Sequence, residues 1–432
     1  MKIALVARHG TPPTHALDPY SADQAAQVVE LGRALADQGH EVVIYARKDS
    51  EKLPGKMTLG KRLTAEFIPA GPAAAVPADQ LPKYAKDMAA QLAARWRRRT
   101  PDVVHAFHWT AALAALAAAN GTPVPVTVSF GSLAAAEQRH RIAGEVTPTR
   151  LRMEACIAKA AAGVIATTSD EVAELSRLGV PSSLVSLIPA GVDASVFTPA
   201  GYAAKRKKNP RLITIGSLAE HRGLETVLRC LTELPDAELV IAGGPPASEL
   251  EADHGYRILA KLAAHLGVAN RVQFTGHVAD KDLPALLRSA DVLISNTRYE
   301  PMGLTAIRAM ACGLPVVATA VGTYSDAIID GTNGLLLPPG RPHVLARRLH
   351  ELLAYPMRRA AFGIAAADRA KSRYPWERIS TETVAVYERS ITRALSQVTA
   401  PATSVGQVRT LRPAAQPVSK RAVLVSAGGH AA

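Results

Sequence analysis

The segment Arg298–Val317 reads RYEPMGLTAIRAMACGLPVV, and its pattern decides the architecture. The apolar strand Val292–Ser295 leads into it. Then come a carboxylate (Glu300), Pro301 and Gly303, an amphipathic helix closed by Gly313 and Pro315, and a second apolar strand, Val316–Ala318. Short continuous apolar runs bounded by Gly and Pro are typical of parallel strands covered on both faces, and a helix between two of them makes one strand–helix–strand unit. A glycine at a helix start lets a ligand approach free amides, and those amides with the helix dipole suit a phosphate. Glu300, just before that helix, is placed to accept hydrogen bonds from sugar hydroxyls.

The same unit recurs on both sides. Arg211–Ile215, a helix after Gly223, Glu238–Ala242 and Val272–Phe274 complete one α/β series. An earlier series starts with the strand Lys2–Ala7 and a helix over Ala22–Gln38, where Ala25, Val28, Val29, Leu31 and Leu35 recur at helical spacing and Gly39 ends it. Strands at Glu41–Tyr45, Val103–Phe107, Val124–Val128, Val164–Thr167 and Leu184–Ile188 follow, with Ala-rich helical stretches between them. The reading is an α/β protein of two Rossmann-like doubly wound domains, residues 1–198 and 211–375, with a cleft between them. Residues 199–210, with Gly201 and the run Lys205, Arg206, Lys207, Lys208, read as a linker. Residues 376–398 read as a helix returning to the first domain, and 399–432 as a flexible tail. Open α/β sheets bind ligands outside the carboxyl ends of their strands, so the motifs point into the cleft.

Composition narrows the function. At 432 residues with 48% hydrophobic side chains, the chain has material for two sizeable cores. Aromatics at 4% count against base-stacking nucleic-acid modules. A net charge of +13 attracts phosphates of any kind and does not choose among them, so a nucleic-acid binder rests on charge alone. Cys156, Cys230 and Cys312 are odd in number and far apart, which excludes a disulfide framework and a four-ligand zinc site and points to a reduced cytoplasm. No apolar run reaches the length of a signal peptide or a membrane span, so the expectation is at most peripheral membrane contact. GxGxxG and GxxxxGK[ST] are absent, which disfavours dehydrogenase and P-loop readings. With no Asp-x-Asp beside a strand end, no metal is expected.

The chain resembles the retaining nucleotide-sugar glycosyltransferases of the GT-B fold, family 4 in particular, over roughly its first 395 residues. The resemblance is carried by EPMG and RAMACGLPVVAT around Glu300, by IPAGVDASVFTP (Ile188–Pro199) and GSLAEHRGLETVL (Gly216–Leu228), and by LVIAGGPP (Leu239–Pro246), FTGHV (Phe274–Val278) and IDGTNGLLLPPG (Ile329–Gly340). Their order and spacing are specific together. The first half, with PDVVHAFHW at Pro101–Trp109, resembles the actinobacterial branch that includes the mycothiol-pathway enzyme, which joins N-acetylglucosamine to inositol phosphate.

The resemblance implies roles. Glu300 falls at the glutamate that contacts the donor sugar. The donor site then takes in Gly216, Ser217, Arg222, the backbone around Gly243, Gly244 and Val278, and the helix start at Met302, Gly303, Leu304 and Thr305. Arg222 corresponds to the second cation of the diphosphate clamp, and Ser217 stands where relatives have the first. Eight residues after Glu300, a ribose-holding glutamate is replaced by Arg308, which instead offers a donor fork to a phosphate or carboxylate. On the acceptor side are His9, Gly10, His108, Gly131 and Arg139. Gly131 occupies the place of a histidine that faces the reacting centre in relatives, and Tyr20, Ser21, Ala22 and Asp23 occupy that of a loop with paired glycines. His105 reads as core. The implied activity is retaining, metal-independent transfer of a sugar from a nucleoside diphosphate to a small hydroxylated or anionic acceptor, with Glu300, Arg222 and His108 as the catalytic set and no cofactor. The competing class is an auxiliary protein that kept the fold and lost turnover, since the departures cluster at functional positions.

Overall fold

A computed structural model describes residues 1–9, 21–77, 79–142 and 146–399. Gly10 and the expected tail beyond residue 399 lie outside the described residues. The first domain is built on strands β1 (Lys2–Ala7), β2 (Glu41–Arg47), β3 (Lys56–Gly60), β4 (Leu63–Ile68), β5 (Val103–Phe107), β6 (Val126–Ser129), β7 (Gly163–Ala166) and β8 (Val185–Leu187). They form one sheet in the order β3-β4-β2-β1-β5-β6-β7-β8, parallel except for the antiparallel β3. Central strands such as β1 are buried on both faces, as their unbroken apolar runs require. The second domain has a parallel sheet of β9 (Arg211–Ile215), β10 (Glu238–Ala242), β11 (Val272–Gly276), β12 (Val292–Ser295), β13 (Val316–Thr319) and β14 (Gly334–Leu337), in the order β11-β10-β9-β12-β13-β14.

Three strands go beyond the sequence reading. The hairpin β3–β4 extends the first sheet; β3 is an edge strand with alternating exposure, and the left-handed position in its turn is held by Arg62 (φ 63°), not by a residue that signals a turn. Strand β14 lies inside the motif Ile329–Gly340, to which the sequence reading assigned no strand.

The chain crosses between domains earlier than composition suggests. Ala190, Val192 and Phe197 already pack in the core of the second domain. Residues 199–210 are tied to that domain rather than spanning the gap: the Ala204 amide donates to the Ala285 carbonyl, and Arg206 reaches the Ser289 carbonyl and Asp291 (2.7 Å). Pro, Gly and Lys signal a surface turn but not which domain it lies against. The outgoing and returning crossings run side by side, with the Val192 amide donating to the Tyr374 carbonyl (2.8 Å) and Val192 paired with Pro375. Beyond this hinge the helix Trp376–Thr399 lies on the helix Ser21–Asp37 and beneath β5, β6 and β7. Its Tyr387 hydroxyl sits 2.8 Å from Nδ1 of His105, whose Nε2 meets Ser129 Oγ at 2.9 Å.

Candidate active site

The carboxyl ends of both sheets face one cleft, and side chains of the two domains meet across it. Tyr299 of the second domain packs into the core of the first, with its hydroxyl 3.2 Å from Ser132 Oγ. Thr167 Oγ1 donates to the Pro301 carbonyl (2.9 Å), and Asp170 accepts from the Gly322 amide (2.8 Å).

On the second-domain wall, Glu300 is 5% exposed. Its Oε2 accepts from Arg222 Nη1 (2.7 Å) and from the Tyr324 hydroxyl (3.3 Å), while Oε1 accepts from the Gly303 amide (3.0 Å). The carboxylate thus caps the helix Leu304–Ala311 and holds Arg222 at its mouth. Burial, with Glu300 alongside, holds the Tyr324 phenol well above its ordinary range, and burial with Arg222 beside it lowers His221 to about 4. Gly303 enters the helix at φ 62°, and a Cβ there would come within 2.4 Å of Thr323 Cγ2, so this entry requires glycine. The first amides of a helix have no intrahelical partner. Beside them Thr323 Oγ1 and, after strand β9 of the same domain, Ser217 Oγ are buried without a hydrogen-bond partner among the described residues.

Gly216, Gly243 and Gly244 lie at strand ends with positive φ, the Gly243 amide donating to the Gly276 carbonyl, and Val278 is half-buried against the core. Met302 and Leu304, expected as donor contacts, are buried, and Leu304 is a core residue. They offer main chain to the cleft, because the apolar face of the helix they start is turned inward; Thr305 is half-buried. Arg308, expected as a ligand contact, lies over the Phe197 ring (5.1 Å) with Nη1 3.4 Å from Asp280. Asp23, outside the expected site set, lies within electrostatic range of it: burial raises its carboxyl, which Arg308 and Arg222 lower and Glu300 and Asp280 raise. It belongs to the stretch that replaces the paired glycines, which was the available signal.

The first-domain wall is held differently. His9 pairs with Asp49 (2.8 Å). His108, at φ 75°, starts the helix Trp109–Ala119, and its Nδ1 faces Thr110 Oγ1 (2.9 Å) and accepts from the Thr110 amide. Burial first, then Arg8, Arg150 and His9, hold His108 well below its ordinary range, which favours the neutral ring, and acceptance from the Thr110 amide uses Nδ1. Gly131 has φ 72°, and a Cβ there would meet Gln24 Nε2 at 2.8 Å, so Gln24 fills space beside the position where relatives carry histidine. Arg139 is ion-paired with the buried Glu174. Sequence reading also passed over Arg150, which bonds Glu137 (2.7 and 2.9 Å) and Glu154 (2.8 Å). Its i,i+4 spacing to Glu154 on one helix was the available local signal, while Glu137 comes from a separate helix and is brought in by packing. Among the described residues no group of three His, Cys, Asp or Glu side chains is arranged to hold a metal, and no helix is long and apolar enough to cross a membrane.

Residues 202–369 match the family model described as glycosyl transferases group 1, and residues 24–196 the one described as glycosyltransferase family 4. A D-inositol 3-phosphate glycosyltransferase 2 of Catenulispora acidiphila is 32% identical over 414 residues, covering 90% of this chain and 95% of its own. The chain belongs to the family 4 glycosyltransferases. A second relative of this glycosyltransferase, the D-inositol 3-phosphate glycosyltransferase of Stackebrandtia nassauensis, is 30% identical, with 91% and 92% covered. Among solved structures, a sucrose-phosphate synthase from Thermosynechococcus elongatus matches with a TM-score of 0.82 at 25% identity, over 91% of this chain and 99% of that one. Anabaena HepE in complex with UDP and glucose matches in fold at 0.70, with 19% identity over 90% and 99%. The enzyme therefore has the GT-B architecture, two Rossmann-like domains around a cleft.

Proposed function

We propose that this glycosyltransferase moves a sugar from a nucleoside diphosphate to a hydroxyl of a small acceptor, with retention at the anomeric carbon and without a metal ion. The observation that carries the reading is the buried Arg222–Glu300 pair at the mouth of the helix Leu304–Ala311. A diphosphate at that helix start would draw on its amides, the Arg222 guanidinium and the orphan hydroxyls of Ser217 and Thr323, while Glu300 accepts from sugar hydroxyls. Solved relatives hold UDP and glucose, and curated relatives are named for D-inositol 3-phosphate, which supports a nucleotide-sugar donor and a cyclic polyol acceptor.

In the proposed reaction the acceptor oxygen bonds to the anomeric carbon on the face from which the diphosphate leaves. The broken C–O bond's electron pair departs with the diphosphate, and a diphosphate oxygen takes the acceptor proton. Such a step asks for no protein base and is compatible with glycine at position 131. Arg222 stabilises the charge that develops on the leaving group.

Calorimetry with UDP, GDP and ADP should find one that binds at micromolar to millimolar concentration. Glu300→Gln should then lower transfer by at least about a thousandfold while changing nucleotide affinity less than tenfold. The anomeric coupling of the product, read by NMR, should match that of the donor. Failure of all three nucleotides to bind would overturn the reading, and an inverted product would overturn its stereochemistry.

A further inference from the structure

We propose that Tyr324 is a positioning residue for the donor sugar: its hydroxyl, anchored on Ser295, holds the Glu300 carboxylate in place when Arg222 turns to the diphosphate. This rests on the donor role proposed for Glu300 and deepens it, since it names what keeps that carboxylate aimed at the sugar.

Three donors from three segments meet the carboxylate. Arg222, at the end of the short turn Glu220–Arg222, reaches Oε2 at 2.7 Å, the Gly303 amide reaches Oε1 at 3.0 Å, and the Tyr324 hydroxyl reaches Oε2 at 3.3 Å. Arg222 has two calls on it, because the cation that pairs with Glu300 is also the one proposed to meet the leaving diphosphate. Carboxylate and phosphate both draw a guanidinium through charge-assisted bonds, so a bound diphosphate loosens the bond from Arg222 to Oε2. Gly303 then holds one oxygen and Tyr324 the other. The last torsion of a glutamate is broad, and a carboxylate held at one oxygen turns readily about it.

Tyr324 is fixed where Arg222 is shared. It is 1% exposed, and its ring belongs to the core of the second domain. It lies on the helix Thr323–Ala327, where the Thr323 amide donates to the Glu300 carbonyl (3.0 Å) and the Tyr324 amide to the Val321 carbonyl (3.1 Å). The segment is thus pinned to the main chain of the residue whose side chain it serves. The phenol oxygen also sits 2.7 Å from Ser295 Oγ, on the last residue of β12. A phenol has one proton to give, so with Tyr324 donating to Glu300 the Ser295 hydroxyl donates to Tyr324. The chain Ser295–Tyr324–Glu300 runs from a strand end to the carboxylate, and each bond polarises the next. Burial, with Glu300 alongside, keeps the phenol protonated and therefore a donor.

Packing alone does not account for the hydroxyl. Phenylalanine would fill the same space, whereas a buried phenol must find partners or bear the cost of losing water. The partners it finds, Ser295 and Glu300, stand at the two ends of the connection from β12 toward the donor-side helix. The 3.3 Å contact beside the 2.7 Å one fits a bond that is secondary while Arg222 holds Oε2 and takes over when it leaves.

The test uses the full chain and calorimetry with UDP, GDP and ADP, then with the glucose or N-acetylglucosamine conjugate of the nucleotide that binds. Tyr324→Phe keeps the ring and removes the hydroxyl. It should leave affinity for the bare nucleotide within about twofold, weaken the conjugate by at least about fivefold, and lower kcat/KM for the donor by at least about tenfold. In a Glu300→Gln background the same change should alter conjugate affinity by less than about twofold, because the phenol acts through the carboxylate. Ser295→Ala, which unties the phenol and leaves it in place, should give the same pattern at smaller size and serves should Tyr324→Phe not fold. Equal weakening of nucleotide and conjugate, an undiminished loss in the Glu300→Gln background, or no loss at all would overturn the inference while leaving the donor reading in place. A wild-type chain that binds no nucleotide, or a Glu300→Gln variant with full transfer, would overturn both.

Discussion

The two walls of the cleft are built by different means. The second-domain wall is made largely of main chain: glycines at strand ends, a helix entered through Gly303, and Glu300 three residues before it bonding the Gly303 amide, with Arg222 and Tyr324 as the distant side chains that meet the carboxylate. The first-domain wall depends more on side chains gathered from separate segments: His105 set by Tyr387, Gly131 crowded by Gln24, Arg150 clamped by Glu137. A wall made of backbone varies little with sequence, whereas a wall made of paired side chains is retuned by one substitution.

Substitutions on the two walls should therefore behave differently. The largest effect is expected from Arg222→Ala on the donor wall, which removes a charged hydrogen bond and leaves Glu300 buried without its cation. Nucleoside diphosphate affinity should fall by about 1.5–3 kcal/mol in calorimetry. Unchanged affinity would mean that the diphosphate is held elsewhere.

The first-domain wall depends on the C-terminal helix, and pH exposes that dependence. His105 is lowered by burial to about 3, below its unfolded value of 6.5. Unfolding therefore takes up a proton between those values, so the contribution of neutral His105 is present above pH 6.5 and lost as pH falls toward 3. In denaturant titrations the slope should be up to about 1.4 kcal/mol per pH unit from this group, and His105→Gln should remove it. An unchanged slope would show that the Tyr387–His105–Ser129 chain does not couple the returning helix to the wall.

Gly131→Ala sets a side chain at φ 72° against Gln24 and should destabilise the fold by about 1–2 kcal/mol. Adding Gln24→Ala should recover the crowding part and leave the backbone part. Full recovery would mean that the left-handed conformation costs nothing there. The smallest effect is expected from Asp280→Asn, whose carboxylate is largely exposed opposite Arg308. An exposed ion pair is worth about 0–1 kcal/mol, so donor affinity should change less than about fivefold. A larger loss would make Arg308 and Asp280 a ligand-holding pair and draw the two walls closer in kind.

This contrast explains what was legible. The carboxylate, proline, glycine and helix around Glu300 could be read because each member lies within a few residues of the next and the backbone geometry demands its type. Asp23 was quoted only as part of an altered loop; its placement within electrostatic range of Arg308, Arg222 and Glu300 comes from domain apposition. Arg308 read as a ligand contact because its helix position was known, while its partner on the loop after β11 was not. The linker was displaced for a similar reason: the segment 199–210 has the composition of a connector, yet Arg206 and Ala204 fasten it to the second domain.

The amino-acid sequence by itself determined the two α/β series, the order of their central strands along the chain, and the donor-side helix start. Period and glycine placement are local properties, and hydrophobic burial on both faces of a parallel strand admits few other readings. Tertiary structure alone decided that Val192 and Tyr374 cross side by side, that the last helix locks His105, and that Arg150 meets Glu137 and Arg139 meets Glu174. A buried charge must find its counter-charge in space, and sequence separation places no bound on where that partner lies.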